Sequence, residues 1–258
     1  MADGYPARNL PEHAAAGHPL PAAGRGTMGV MRRLLPSLAS GVMEVDLDQA
    51  YAWPDGRCLR VNFVASLDGA ASLDGRTGGL ATPADRAVFS HLRATCDVIV
   101  VGAGTASAER YRPARVPVAV VSARLSPSPA ERLFTPGVGT APPLVLTCAA
   151  APDDRRAALS RGAEVVDCGD DAVDLDLVVA ELERRGMRRL LCEGGPRLFA
   201  DLLAADAVDE LCLTIAPLLT AGTAQRITDG PGLVPPVTAR LLSALEEDGT
   251  LLLRYSTG

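Results

Sequence analysis

Apolar positions along this chain follow two alternating periods. Continuous or every-other-residue apolar runs at 60–66, 98–101, 118–121, 144–147, 164–166, 189–192 and 210–216 predict β-strands, and helical spacing at 82–95, 152–160, 175–185 and 196–203 predicts helices among them. Strand and helix in alternation is the pattern of an α/β layer fold with parallel pairing. The end of the chain departs from it. Residues 241–245 and 250–255 flank Asp248 and Gly249, the residue choice of a tight hairpin, so the C-terminus is predicted antiparallel and the sheet mixed. The helix at 82–95 has a clear start, with Thr82 as N-cap, Pro83 at the first helical position and Asp85 at the third.

Composition narrows the function. With 258 residues, 48% hydrophobic and 22% charged, the chain can bury a substantial core, and residues 31–258 are expected to form a single domain. Residues 1–30, rich in Ala, Gly, Pro and His, read as a disordered leader with no signal-peptide core, and Met28 and Met31 are alternative candidates for the start. The net charge of −6 and the absence of any basic cluster beyond pairs such as Arg32-Arg33 and Arg188-Arg189 argue against a nucleic-acid partner and for a small molecule. No apolar run reaches the roughly 18 residues of a membrane span. The six cysteines form no C-x-x-C pair and abut apolar runs, which points to buried thiols in a reducing, cytoplasmic setting. Two of the three histidines, His13 and His18, lie in the leader, so no metal site is expected.

Candidate chemistry gathers at two glycine corners. In LLCEGGPRLFADLL an apolar strand stops at Glu193, Gly194 and Gly195 form the turn, and Pro196 opens a helix that runs through Arg197, Leu198 and Phe199. From Val98 to Thr105 (VIVVGAGT) another strand runs into Gly102-x-Gly104, although Ser107 stands where a dinucleotide fingerprint has its third glycine. Helix starts offer unpaired N–H groups, and glycine lets a phosphate approach them, so a dinucleotide spanning neighbouring corners is one reading. A pair of tight turns using glycine for its backbone freedom alone is the other. After the strand at 118–121 come Ser122 and Arg124, a hydroxyl and a guanidinium suited to a 2′-phosphate, which favours NADPH over NADH. Neither a Tyr-x-x-x-Lys pair nor a Gly-x-Ser-x-Gly nucleophile elbow follows, which disfavours a short-chain dehydrogenase and a hydrolase.

Four stretches together, FVASLDGAASLDG, HLRATCDVIVVGAGTASAE, LCEGGPRLFADLL and VDELCLTIAPLL, resemble in family order the reductase half of the bifunctional riboflavin-biosynthesis deaminase/reductase. The resemblance covers about residues 58–256. It implies a dihydrofolate-reductase-like fold, a mixed, mostly parallel sheet flanked by helices, with NADPH as hydride donor and a homodimer. It also implies the activity of 5-amino-6-(5-phosphoribosylamino)uracil reductase, in which a ribosylamino-pyrimidine phosphate becomes its ribitylamino product. No H-x-E with P-C-x-x-C precedes the reductase motifs, so the expectation is a stand-alone reductase. Residue by residue, the resemblance assigns Val64 and Ala65 to the nicotinamide side, and Thr105, Glu109 and Ser122 to the cofactor. The segment from Gly195 through Asp201 would wrap its phosphates. On the substrate side it assigns Glu193, Arg93 and a second arginine at Arg115. Asp68, in Ser-Leu-Asp-Gly, is expected at the site mouth as a candidate proton source or as the holder of its turn. The strand within 208–219 and the terminal hairpin are expected to lie at an apolar sheet edge covered by a partner.

One departure bears on the substrate. Where the family has Ser-x-Trp ahead of the helix cap, this chain has Gly78, Gly79 and Leu80, a wider opening that would admit a pterin. Dihydrofolate or pterin reduction is therefore a second reading on the same fold, and a non-catalytic nucleotide-binding module a third.

Overall fold

The computed structural model of the chain describes residues 31–35, 45–73, 75–135 and 137–258, and the leader expected at 1–30 lies outside the described residues. In chain order the elements are β1 (Arg32–Leu35), α1 (Leu47–Ala50), β2 (Cys58–Ser66), α2 (Pro83–Thr95), β3 (Val98–Gly102), α3 (Ala103–Ala108), β4 (Val118–Val121) and β5 (Leu144–Thr147). There follow α4 (Asp153–Leu159), β6 (Glu164–Asp167), α5 (Leu175–Arg184), β7 (Arg189–Cys192), α6 (Pro196–Ala204), β8 (Glu210–Ala216), β9 (Arg240–Glu247) and β10 (Thr250–Ser256). The strands join in one sheet of order β1-β9-β10-β8-β2-β7-β3-β4-β5-β6. From β8 to β6 neighbours pair in parallel, whereas β8 with β10, β10 with β9 and β9 with β1 are antiparallel. The sheet is thus mixed and mostly parallel, with the hairpin where Asp248-Gly249 predicts it.

Alternation along the central strands explains the three layers. Ile99, Val101, Val118, Val120 and Val145 point to one face and pack with Val88 and Leu92 of α2, Ala106 of α3 and Leu159 of α4. Val98, Val100, Ala119, Leu144 and Leu146 point to the other and pack with Val178 and Leu182 of α5 and Phe199 and Leu202 of α6. Being covered on both faces, these strands read as continuous apolar runs, which is why the sequence locates them well. All six cysteines are free and buried.

The sheet edge differs from the expectation. β8 is interior, between β10 and β2, and the hairpin's outer strand β9 is covered by β1. The edge is therefore the short Arg32–Leu35 strand, where Arg32 is ion-paired to Glu246 of β9. Four residues without a period of their own form this strand only because β9 offers a template, so local pattern does not reveal it.

Candidate active site

A cleft of about 1400 Å³ opens over the carboxyl ends of β2, β7, β3 and β4. This is where a parallel α/β sheet leaves room for a ligand, because the chain leaves the sheet at those ends, directly into a helix after β3 and β7 and into loops after β2 and β4. One wall is α2. Its cap works as the sequence predicts, with Thr82 Oγ1 accepting from the Asp85 amide at 3.2 Å, and the helix then presents Asp85, Arg86, Phe89 and Arg93 to the cleft. Asp85, Phe89 and Arg93 are spaced i, i+4, i+8 and so share one stripe.

Glu193 sits at the floor, its side chain only 3% exposed. Arg93 grips it with two bonds, Nε to Oε1 at 2.7 Å and Nη2 to Oε2 at 2.6 Å, and the Tyr111 hydroxyl donates to Oε2 at 2.5 Å. The Arg93 guanidinium lies over the rings of Phe89 and Tyr111, 4.4 and 5.3 Å from their centroids. A buried carboxylate needs such partners, since an uncompensated charge out of water is costly. Burial and the Glu193 charge together push the Tyr111 phenol well above its usual range. The carboxylate at the glycine corner is therefore neutralised by the arginine expected on the substrate side, so neither group stands alone in the way the sequence suggests.

The other half of the cleft is built from backbone. The two glycine corners meet: the Gly102 amide donates to the Gly194 carbonyl at 2.7 Å, and β3 pairs directly with β7. A side chain at Gly195 would have its Cβ 2.3 Å from Thr105 Oγ1, and one at Gly194, where φ is +91°, would strike the Phe63 ring at 2.7 Å. Glycine is required at both for close approach. α6 has Gly195 as its N-cap and Pro196 at its first position, with no side chain capping it, so the N–H groups that follow the proline remain available, and a Cβ at Gly104 would project into open space. That donor set, lined also by Val64, Thr105, Arg197 and Leu198, fits a pyrophosphate. Beyond it, Ser122 Oγ accepts from the Ser126 amide at 3.1 Å, and the buried Leu125, at φ +50°, pins the turn that leaves Arg124 exposed at the rim. Glu109, also in the lining, reaches across to the glycine-rich loop and accepts from the Thr77 amide at 3.0 Å and its hydroxyl at 3.1 Å.

Several expected residues lie apart from the cleft. Asp68 is exposed outside it, and its carboxylate accepts from the Ser66 hydroxyl and from the amides of Thr220 at 3.0 Å and Ala221 at 2.6 Å. The Ser66 hydroxyl and then the Ala221 amide hold that carboxyl down at about 2, so it latches two loops and is a poor proton donor. Arg115 is off the lining; Arg86, Arg110 and Arg112 are on it. Ala65 faces away from the cleft, and Phe199 is buried behind it, stacked on Phe63 at 5.4 Å. Tyr111 and the three rim arginines do not figure among the site residues read from sequence, and Asp85 enters there only as part of the helix start. The stripe containing Arg93 was enough to find Asp85. Tyr111 was not accessible, because its position depends on Arg110 adopting φ +53°, which an arginine does not announce.

Among the described residues no helix is long and apolar enough to cross a membrane, and no cluster of three metal-ligating side chains occurs. Comparison with known proteins agrees with the geometry. The chain is 32% identical over 183 residues to the 2,5-diamino-6-ribosylamino-4(3H)-pyrimidinone 5′-phosphate reductase of Methanothermobacter thermautotrophicus, covering 67% of this chain and 84% of that one. The enzyme of the same name from Archaeoglobus fulgidus is 27% identical over 218 residues, 76% of this chain and 97% of that one. Among solved structures, a pyrimidine reductase-like protein from Corynebacterium diphtheriae superposes with a TM-score of 0.73 at 24% identity, over 83% of this chain and 99% of that one, a likeness of fold. The sequence profile of the RibD C-terminal domain matches residues 57–251, and the chain belongs to that family.

Proposed function

We propose that this chain is an NADPH-dependent reductase that converts a ribosylamino-pyrimidinone 5′-phosphate to its ribitylamino product. The observation that carries the reading is the cleft itself, in which two glycine corners with free backbone donors face a buried Glu193–Arg93 pair across a gap large enough for a dinucleotide and a second ligand. A bound nicotinamide would supply the hydride, and the residues of this chain bind and orient. Gly104, Thr105 and the α6 start at Gly195 through Leu198 hold the diphosphate, and Val64 lies along the nicotinamide side. Ser122, Ser126 and Arg124 receive the 2′-phosphate, which is the basis for preferring NADPH. Arg124→Ala should weaken NADPH by about 1.5–3 kcal/mol and leave NADH nearly unchanged in a fluorescence titration. Arg86, Arg110 and Arg112, three exposed guanidinium groups on the rim, favour a phosphorylated substrate over a pterin. Free buried thiols are consistent with a cytoplasmic protein, and the exposed apolar edge strand with a homodimer.

The decisive experiment follows NADPH oxidation with 2,5-diamino-6-ribosylamino-4(3H)-pyrimidinone 5′-phosphate, its aminouracil counterpart and dihydrofolate side by side. Turnover of a pyrimidine phosphate is expected. Turnover of dihydrofolate alone would make the protein a pterin reductase, and NADPH binding with no reduction of any of the three would leave a nucleotide-binding module.

A further inference from the structure

α3 ends in a way that its sequence does not favour. The Arg110 amide donates to the Ser107 carbonyl at 3.2 Å and the Tyr111 amide to the Ala106 carbonyl at 2.9 Å, the bond pair of a helix end whose residue after the cap takes left-handed backbone. That residue is Arg110, at φ +53°, where glycine would sit without steric cost. A side chain kept at such a position points to a use for it. Arg110 is exposed on the cleft lining with Arg112, and among the described residues no ion pair engages either guanidinium. Their alternate neighbours turn inward. Glu109, the cap, holds the glycine-rich loop through Thr77, and Tyr111 reaches the floor, its hydroxyl donating to Glu193 Oε2 at 2.5 Å and its ring 5.3 Å from the Arg93 guanidinium. Burial and the Glu193 charge push the phenol well above its usual range, so it remains a donor at neutral pH. Arg93 and Glu193 come from α2 and from the end of β7. Tyr111 ties that pair to a third element, the short connection that also carries the rim guanidinium groups.

We propose that Tyr111 is a positioning residue that makes the setting of Glu193 depend on the phosphate of the substrate. A phosphate held by Arg110 and Arg112 fixes the 109–112 segment, and Tyr111, on that segment, fixes the carboxylate against the ring whose substituent is reduced. This rests on the reductase reading above. Binding energy from a group remote from the reacting carbon is thereby expressed in turnover as well as in affinity. The arginine at the left-handed position is what joins the two, since a glycine would end the helix equally well and leave no guanidinium at the rim.

The test measures kcat and KM of the full chain at saturating NADPH on the ribosylamino-pyrimidinone 5′-phosphate and on the same compound without its phosphate. In the parent, loss of the phosphate should lower kcat by about tenfold or more as well as raise KM. Tyr111→Phe keeps the ring and its packing. It should lower kcat on the phosphorylated compound by about tenfold, leave KM within about threefold, and reduce the effect of the phosphate on kcat to within about twofold. Arg110→Gly suits the backbone there, so it should melt no lower than the parent while its preference for the phosphorylated compound falls by about tenfold or more. A Tyr111 that only supports the fold would lower kcat on both compounds alike, and that result overturns the proposal. A Tyr111→Phe variant with parental kcat overturns it too, as does a parent in which the phosphate changes KM alone. Should Tyr111→Phe not fold, Arg110→Gly decides: a rise in KM at parental kcat overturns the coupling, and a fall in kcat supports it. A parent inert toward both compounds sinks the reductase reading and the coupling with it, whereas an active parent whose kcat ignores the phosphate sinks the coupling alone.

Discussion

Glu193 carries the most concentrated set of contacts in the cleft, and its consequences are energetic before they are catalytic. Glu193→Gln removes the charge that Arg93 was folded against. The expected loss is roughly 2 kcal/mol in urea denaturation, less than the ~3–5 kcal/mol of a fully buried pair because 35% of the Arg93 side chain meets water. Arg93→Met should cost a similar amount, and the double variant much less than the sum, since the second change removes a group already stranded. Additive losses would mean the pair is not coupled. Gly195 gives a second residue-scale expectation. The Cβ of Gly195→Ala would stand 2.3 Å from Thr105 Oγ1, so the variant should melt several degrees lower, and adding Thr105→Ala should restore most of that because the next atom, Thr105 Cβ, is 3.6 Å away. NADPH affinity should stay weak in the double variant, which separates the role of glycine in packing from that of Thr105 toward the cofactor. Restored binding would remove Thr105 from the cofactor site.

At the scale of elements, α2 is the piece on which the site depends, because a single cap fixes the helix register that turns Asp85, Phe89 and Arg93 into the cleft. Thr82→Ala should cost about 1 kcal/mol and lower turnover, the first measured by denaturation and the second by NADPH oxidation. Unchanged activity would mean the register is held by packing alone. Elements of this kind were legible in the sequence: β4, β5, β7 and β8 end where their apolar runs end, and α2 starts at the residue its cap predicts. What escaped was whatever depends on a distant partner. β1 exists through β9, and α3, the six residues Ala103–Ala108, has little apolar period because it is held by the corner preceding it and by the burial of Ala103 and Ala106. The site divides along the same line. The backbone corners were readable because glycine has few other reasons to be there, whereas the Arg93–Glu193 pairing joins residues 100 apart in sequence and was read as two separate substrate contacts.

For the whole molecule, the sheet ends at Leu34 and Leu35, 46% and 45% exposed on a strand that has a neighbour on one side only among the described residues. Such an edge invites pairing, and a dimer formed across it should sediment as such at micromolar concentration and become monomeric in Leu34→Glu/Leu35→Glu. A monomeric parent would count against dimerisation. The α2 stripe has a further consequence for the molecule's selectivity. Asp85 and Arg93 are eight residues apart on one helix, which at about 1.5 Å per residue spaces them by roughly 12 Å. Their separation is therefore a fixed ruler along the cleft wall, indifferent to loop movements at the rim. One residue inserted between them would swing the far mark by about 100° around the axis, and no adjustment of the surrounding loops would bring the two marks back onto one molecule.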